Sequence, residues 1–247
     1  MKRPIIRGII ERRILVNYQI DPEALRPLLP PPLRPQLVKG VGIGGICLIR
    51  LRDIRPRFLP SAFGFASENA AHRIAVEWPG VNDRGQGVFI PRRDTSARVN
   101  MLAGGRIFPG EHHLAYFEVL ERGDEYSVSL RSRDGEVALT VRARLADQLP
   151  SSTVFDSLAE ASEFFEGGSL GYSLSHNPHK LDGLELRTAS WRVDPLAIEH
   201  VYSSFFENKA RFPAGVVRFD SALLMQGIEH EWHAREPLYC GETHSVA

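Results

Sequence analysis

The sequence predicts a mainly β, α+β fold: a closed or nearly closed, antiparallel-rich barrel with a few short peripheral helices. Three observations carry this. Stretches of strand length recur along the chain, several with apolar residues at a period of two. Turn signals built on Gly and Asp separate them, and no regular alternation of strands with long helices is present. A chain of 247 residues, 43% of them hydrophobic, can bury one large core, and β-barrels of this length commonly form one domain. Residues 1–247 are therefore read as a single domain.

The first element spans residues 12–20, where Ile14, Val16, Tyr18 and Ile20 recur with a period of two, as in a strand with one side on the core. Asp21 then stands as N-cap before Pro22, with Glu23 in the first turn, so a short helix through Leu29 follows. Pro30, Pro31 and Pro32 stop it. Residues 40–51 read as a strand containing Gly42, Gly44 and Gly45, and glycine inside a strand marks a bend or the close approach of another backbone or a ligand. These glycines open no helix, which excludes a dinucleotide-binding turn.

A meander follows: strands over 114–120, 126–130 and 137–145, with turns at Gly123 and Gly135. Ser157 and Glu160 have capping-box spacing, and Gly167 is placed to supply a left-handed C-terminal residue, so a helix is expected over 158–165. Strands over 184–193 and 216–228 flank a polar, aromatic-rich stretch at 200–212. Within it, residues 202–206 fit either an interface between copies in a homo-oligomer or the core.

Thirty basic residues balance thirty acidic ones, which leaves no global field for nucleic acid or an anionic membrane as partner. Lys2, Lys39, Lys180 and Lys209 are the only lysines; the other basic residues are arginines, whose planar fork grips carboxylates. The expected partner is thus a small organic acid, or an apolar metabolite, with no cofactor. Cys47 and Cys240 are too few and too far apart for a disulfide scaffold or a local metal motif, which fits a reducing, cytoplasmic setting. Residues 1–10 hold no long apolar stretch, so export and membrane insertion are not expected.

The segment NYQIDPEALRPLLPPPL at 17–33 resembles the opening of the acetoacetate decarboxylase-like superfamily. With FASENAAHRIAVEW at 65–78, FFEGGSLGYS at 164–173 and LLMQGIEHEWHAREPL at 223–238, the chain looks most like its uncharacterised bacterial branch. The resemblance implies the closed barrel of that superfamily. It also implies an active-site glutamate near Glu68 and an arginine at Arg12 or Arg13. In the decarboxylase a lysine forms an imine with the keto acid. The corresponding stretch here, NMLAGGRIFPGEHH at 100–113, has Gly104, Gly105 and Arg106 where a lysine pair is expected, and a guanidinium cannot replace the amine. Schiff-base decarboxylation is therefore not expected.

The candidate catalytic residue is Glu68, a general acid or base, with Asn69, Arg73, Arg13 and Arg106 as candidate substrate-binding residues. The alternative places Glu68 in a solvated turn and the arginines on a surface face. Asp94 or Thr95 is placed to cap a helix leading to the Gly104 and Gly105 turn. His112 with His113, and His230 with His233, invite a metal reading, but on strands neither pair has ligand geometry, so no metal is expected. Cys47, set among apolar residues, reads as a small core residue, and Tyr172 as a buried tyrosine with a satisfied hydroxyl. Two functions fit: a lyase or hydro-lyase acting on a small oxo or hydroxy acid without an imine, or a non-catalytic barrel that binds a small metabolite.

Overall fold

The computed structural model describes residues 4–80, 84–98 and 110–240. One sheet of 13 strands dominates it: β1 (Ile6–Ile20), β2 (Arg34–Pro35), β3 (Leu37–Val38), β4 (Val41–Pro56), β5 (Phe65–Pro79), β6 (Arg84–Thr95), β7 (His112–Arg122), β8 (Glu125–Ser132), β9 (Ala138–Leu145), β10 (Leu170–Leu174), β11 (Lys180–Thr188), β12 (Asp194–Ser203) and β13 (Val217–Tyr239). Two α-helices lie wholly within the described residues, α1 (Pro22–Leu25) and α2 (Leu158–Gly167). Among the described residues, no helix is long and apolar enough to cross a membrane.

β13, β1, β4, β5 and β6 lie side by side as a wall, and the sheet returns from β6 to β13 by two routes. One route runs through β7, β8, β9 and β12; the other runs through β10 and β11. β6 serves both by pairing in parallel with β10 at Val88 and Phe89 and with β7 from Arg93 to Thr95. Every other pairing among the described residues is antiparallel. The sheet therefore closes twice around a shared wall. That explains wall strands of 15 (β1), 16 (β4), 15 (β5) and 23 residues (β13), against the usual five or six.

Both faces of the wall are buried. Ile14, Val16, Tyr18 and Ile20 join Ile46, Leu48 and Ile74 in one apolar core with Val128, Leu139 and Leu196. Leu15 joins Cys47, Ile49 and Ala75 in a second core on the opposite face, closed by Ala161 and Phe165 of α2 and by Leu184. The alternation that predicted β1 is thus apolar core against a second, partly polar interior, since Arg13, Asn17 and Gln19 are also buried. The expectation that only one side of this strand meets a core is corrected accordingly.

Local chemistry sets the element ends as expected in several places. The Asp21 side chain accepts from the Glu23 amide at 2.9 Å, and Pro22 opens α1. The helix narrows to a single 3-10 turn at Arg26–Leu28 before the prolines. Ser157 accepts from the Glu160 amide, while the Glu160 carboxylate reaches back to the Asp156 amide at 2.5 Å. Gly123 and Gly135 turn the two hairpins with φ of 59° and 76°, a conformation that favours glycine.

Other expectations are corrected. α2 extends through Gly167 and is capped by Gly168 at φ −80°, so no left-handed residue ends it. The strand expected over 184–193 is β11, which ends at Thr188; Trp191 and Val193 beyond it fold into the second core. The stretch at 200–212 begins inside β12, a strand that bulges between Ile198 and His200 and so breaks the alternation. Phe205 and Phe206 are core residues, whereas Tyr202 is exposed.

Candidate functional site

A cavity of about 130 Å³ opens on the second face of the wall. Its apolar lining includes Ile49, Leu51, Ile54, Val88, Phe165, Leu184 and Leu186, and its polar lining includes Arg13, Asn69, Arg73, Arg93 and His112. Strand register explains the assembly. Asn17, Gly45 and Arg73 lie in one row across β1, β4 and β5, and Leu15, Cys47, Ala71 and Arg93 lie in the next row, across β1, β4, β5 and β6. Because side chains alternate along a strand, each row presents one face to the cavity side.

Small residues make the space. Arg73 reaches across Gly45 to donate from Nη2 to the Asn17 side-chain oxygen. A Cβ at position 45 would lie 2.3 Å from the Val16 carbonyl oxygen, so only glycine permits this close approach of β1 and β4. Ala71 separates Cys47 from Arg93 in the next row.

The three cavity arginines have neutral partners. Arg13 donates from Nε to the Cys47 sulfur at 3.3 Å and from Nη1 to the Met225 sulfur at 3.7 Å, and its guanidinium lies 5.6 Å from the centre of the Trp191 ring. Arg73 lies over Phe165 at 4.9 Å, and its buried Nε has no hydrogen-bond partner among the described residues. Arg93 donates to the Ser173 hydroxyl at 3.3 Å, and its Nε is likewise without a partner there. None of the three forms a salt bridge within the described residues.

Burial pushes the guanidinium groups of Arg73 and Arg93 down to about 10, so both remain charged at neutral pH. Burial, and after it the Arg93 charge, pushes His112 down to about 3. The imidazole facing the cavity is thus neutral at pH 7. Burial also raises the Asp94 carboxyl, against the pull of Arg92, which holds it at 2.7 Å.

The structure brings Arg13, Asn69 and Arg73 together, and Arg13 rather than Arg12 faces the cavity. Glu68 stands apart from them. It lies one residue from Asn69 on β5 and so faces the other side of the wall, where Arg12 holds it at 2.6 Å and Arg50 at 2.5 Å. Arg12 also holds Glu121 at 2.9 Å. The placement of Glu68 in a solvated turn is corrected too, because its side chain is only 15% exposed. Arg106, with Gly104, Gly105 and most of the expected helix after Thr95, lies outside the described residues.

His113 pairs with Asp134 at 3.0 Å, and His233 with Glu231 at 2.8 Å. His230 is buried against Trp232. Among the described residues no group of three or more His, Cys, Asp or Glu side chains is placed to hold a metal ion. Tyr172 is buried and donates to the Glu236 carbonyl at 3.1 Å. Sequence reasoning missed Arg93, and it read Cys47 as core and His112 only as a metal candidate. Period-two parity from Arg73 through the β5–β6 pairing would have placed Arg93, but the strand β6 itself carried no clear alternation.

A family model described as DUF2071, uncharacterized conserved protein, matches residues 10–206. No curated protein matches the sequence. Several solved structures share the fold. Acetoacetate decarboxylase from Legionella pneumophila has a TM-score of 0.58 at 14% identity, over 95% of this chain and 88% of that one. An acetoacetate decarboxylase-like enzyme from Sphingomonas wittichii RW1 has 0.57 at 11% identity, over 97% and 93%. The enduracididine biosynthesis enzyme MppR complexed with pyruvate has 0.56 at 13% identity, over 98% and 91%.

Proposed function

The chain belongs to the DUF2071 family of uncharacterized conserved proteins, and we propose that it binds a small oxo or hydroxy acid in the arginine-lined cavity and acts on it as a lyase-type enzyme without an imine. One observation carries this reading. Three buried or nearly buried arginines line a cavity with only neutral partners among the described residues. An uncompensated buried charge costs several kcal/mol, and an entering carboxylate offsets that cost through charge-assisted, bidentate hydrogen bonds.

Size supports the same class. A cavity near 130 Å³ is close to the roughly 150 Å³ known to admit benzene, so a ligand of about six non-hydrogen atoms fits. Pyruvate has that size, and MppR, with the same fold, is complexed with it. Among the described residues no lysine lines the cavity, and Lys39 and Lys180 are engaged with Asp156 and Asp182, which supports chemistry without an imine.

In this reading Arg73 and Arg13 grip the carboxylate, Arg93 adds a third cation, and Asn69 orients the second oxygen function. Arg106 remains a candidate for the same grip. Glu68 is committed to Arg12 and Arg50 on the far face, so in this reading the proton-transfer role falls to the neutral imidazole of His112 instead of Glu68. The alternative, a non-catalytic binder, draws on the apolar half of the lining.

Thermal scans of wild type and Arg73→Gln against pyruvate, lactate and their neutral amides test the binding. Stabilisation by the acids alone, lost in the variant, is expected; a protein indifferent to every acid would remove the reading. Proton NMR of the same mixtures over hours separates the two alternatives, because turnover marks an enzyme and an unchanged bound acid a binder.

A further inference from the structure

Cys47 lies at the centre of the arginine cluster. It is 8% exposed and lines the cavity. Arg13 donates to its sulfur at 3.3 Å, and both Arg73 and Arg93 lie within electrostatic reach of it. Arg13 is the diagonal neighbour of Cys47 on β1 and Arg73 the diagonal neighbour on β5, while Arg93 shares its row beyond Ala71. Diagonal neighbours in a sheet are within reach of long side chains. A second observation points to a ligand at this sulfur: Arg73, itself 6% exposed, lines the same cavity with a buried Nε that has no hydrogen-bond partner among the described residues.

We propose that Cys47 is a nucleophile that adds reversibly to the carbonyl carbon of an oxo acid held by Arg13, Arg73 and Arg93. The inference rests on the oxo-acid reading and deepens it. In the step, a sulfur–carbon bond forms, the carbonyl π bond opens, and the thiol proton ends on the former carbonyl oxygen. The product is a thiohemiketal, and no oxidant or reductant is consumed. Sulfur supplies the covalent handle that an absent lysine cannot. Negative charge that develops on the oxygen during addition meets guanidinium groups already in place, so little reorganisation is needed.

The experiment uses the full chain and two alkylating reagents of similar size, anionic iodoacetate and neutral iodoacetamide. Peptide mass spectrometry follows the labelling of Cys47 and of Cys240, which lies outside the cavity and is the internal reference. The iodoacetate-to-iodoacetamide rate ratio at Cys47 is expected to exceed that at Cys240 by about tenfold or more, as charge-focused clefts do for anions. Pyruvate should slow both reactions at Cys47, and Arg73→Gln should bring its ratio down to that of Cys240.

Carbon-13 NMR of pyruvate labelled at its carbonyl carbon should show a bound tetrahedral carbon with wild type and none with Cys47→Ser. An equal ratio at the two cysteines, an inert Cys47, or the same tetrahedral signal with Cys47→Ser would overturn the inference. Pyruvate binding is scored separately by thermal scan of Cys47→Ala. Stabilisation there beside an inert Cys47 in wild type removes the thiol chemistry and leaves the oxo-acid reading. No stabilisation of either protein by any acid removes both.

Discussion

Arg12 and Arg13 are neighbours on one strand, and their fates differ. Arg12, 1% exposed, is held by two carboxylates, Glu68 and Glu121, on the face that packs against the larger core. Arg13, 9% exposed, meets two sulfurs and an indole on the face that opens into the cavity. One face of the wall has neutralised its buried cation and the other has not. The difference separates two roles: a buried charge that the protein itself compensates is structural, whereas one with neutral partners among the described residues is where our proposal seats the anion.

The largest expected effect tests both faces together. His72 on the packed face is pushed down to about 3 by burial and by Arg92 and Arg211. His112 is likewise at about 3, and His230 is at about 4, chiefly through burial. Their folded values lie below the unfolded value near 6.5, so the unfolded state takes up protons that the folded state refuses. The stability they confer is present above pH 6.5 and is lost as pH falls toward 4. Urea unfolding between pH 7 and 4 should show a loss of up to about 4 kcal/mol per pH unit. His72→Gln should remove about a third of that slope; an unchanged slope would mean that His72 is charged in the folded protein.

The arginine contrast itself comes next. Arg12→Met leaves the Glu68 and Glu121 carboxylates to share Arg50 alone and should destabilise by about 3 kcal/mol. Arg13→Met removes a buried cation that has only neutral partners among the described residues, and should leave stability unchanged or raise it by about 1 kcal/mol while abolishing acid binding. Equal losses in chemical denaturation would erase the distinction between the faces. Pyruvate at about 100 times its dissociation constant should stabilise wild type by roughly 2.7 kcal/mol and Arg73→Gln by far less. Ser157→Ala, outside the cavity lining, should cost about 1 kcal/mol through the lost cap of α2 and leave acid binding intact, and a calorimetric titration of the variant checks this.

Much of the architecture was legible because local chemistry dictates it. Asp21 and Ser157 cap helices by their own side chains, and Gly123 and Gly135 turn hairpins through φ values that other residues resist. β12, and the wall strands beyond their ends as expected, were not legible. A strand buried on both faces need not alternate, and β5 is buried without interruption from His72 to Val76. Of the cavity lining, Asn69 and Arg73 were named from their sequence neighbourhood, Arg13 stood with Arg12 as a pair implied by the family resemblance, and Glu68 was grouped with them although a period of two sets it on the opposite face. Cys47 was read as a core residue, which it is, but its place beside the arginines, like that of Arg93, was hidden because it depends on the register of β4, β5 and β6, not on sequence neighbours.

The sequence by itself determined a mainly β chain, its caps and hairpins, a supply of arginines in place of lysines, and membership of the DUF2071 family. These follow from short-range sterics, hydrogen bonding and composition. Only the tertiary structure decided which arginine of the Arg12–Arg13 pair is neutralised, that Gly45 lets Arg73 reach Asn17, and that Cys47 lies among three cations. The physical reason is closure. A sheet that closes twice buries both faces of its wall, and long-range register alone settles which side chains meet in each interior.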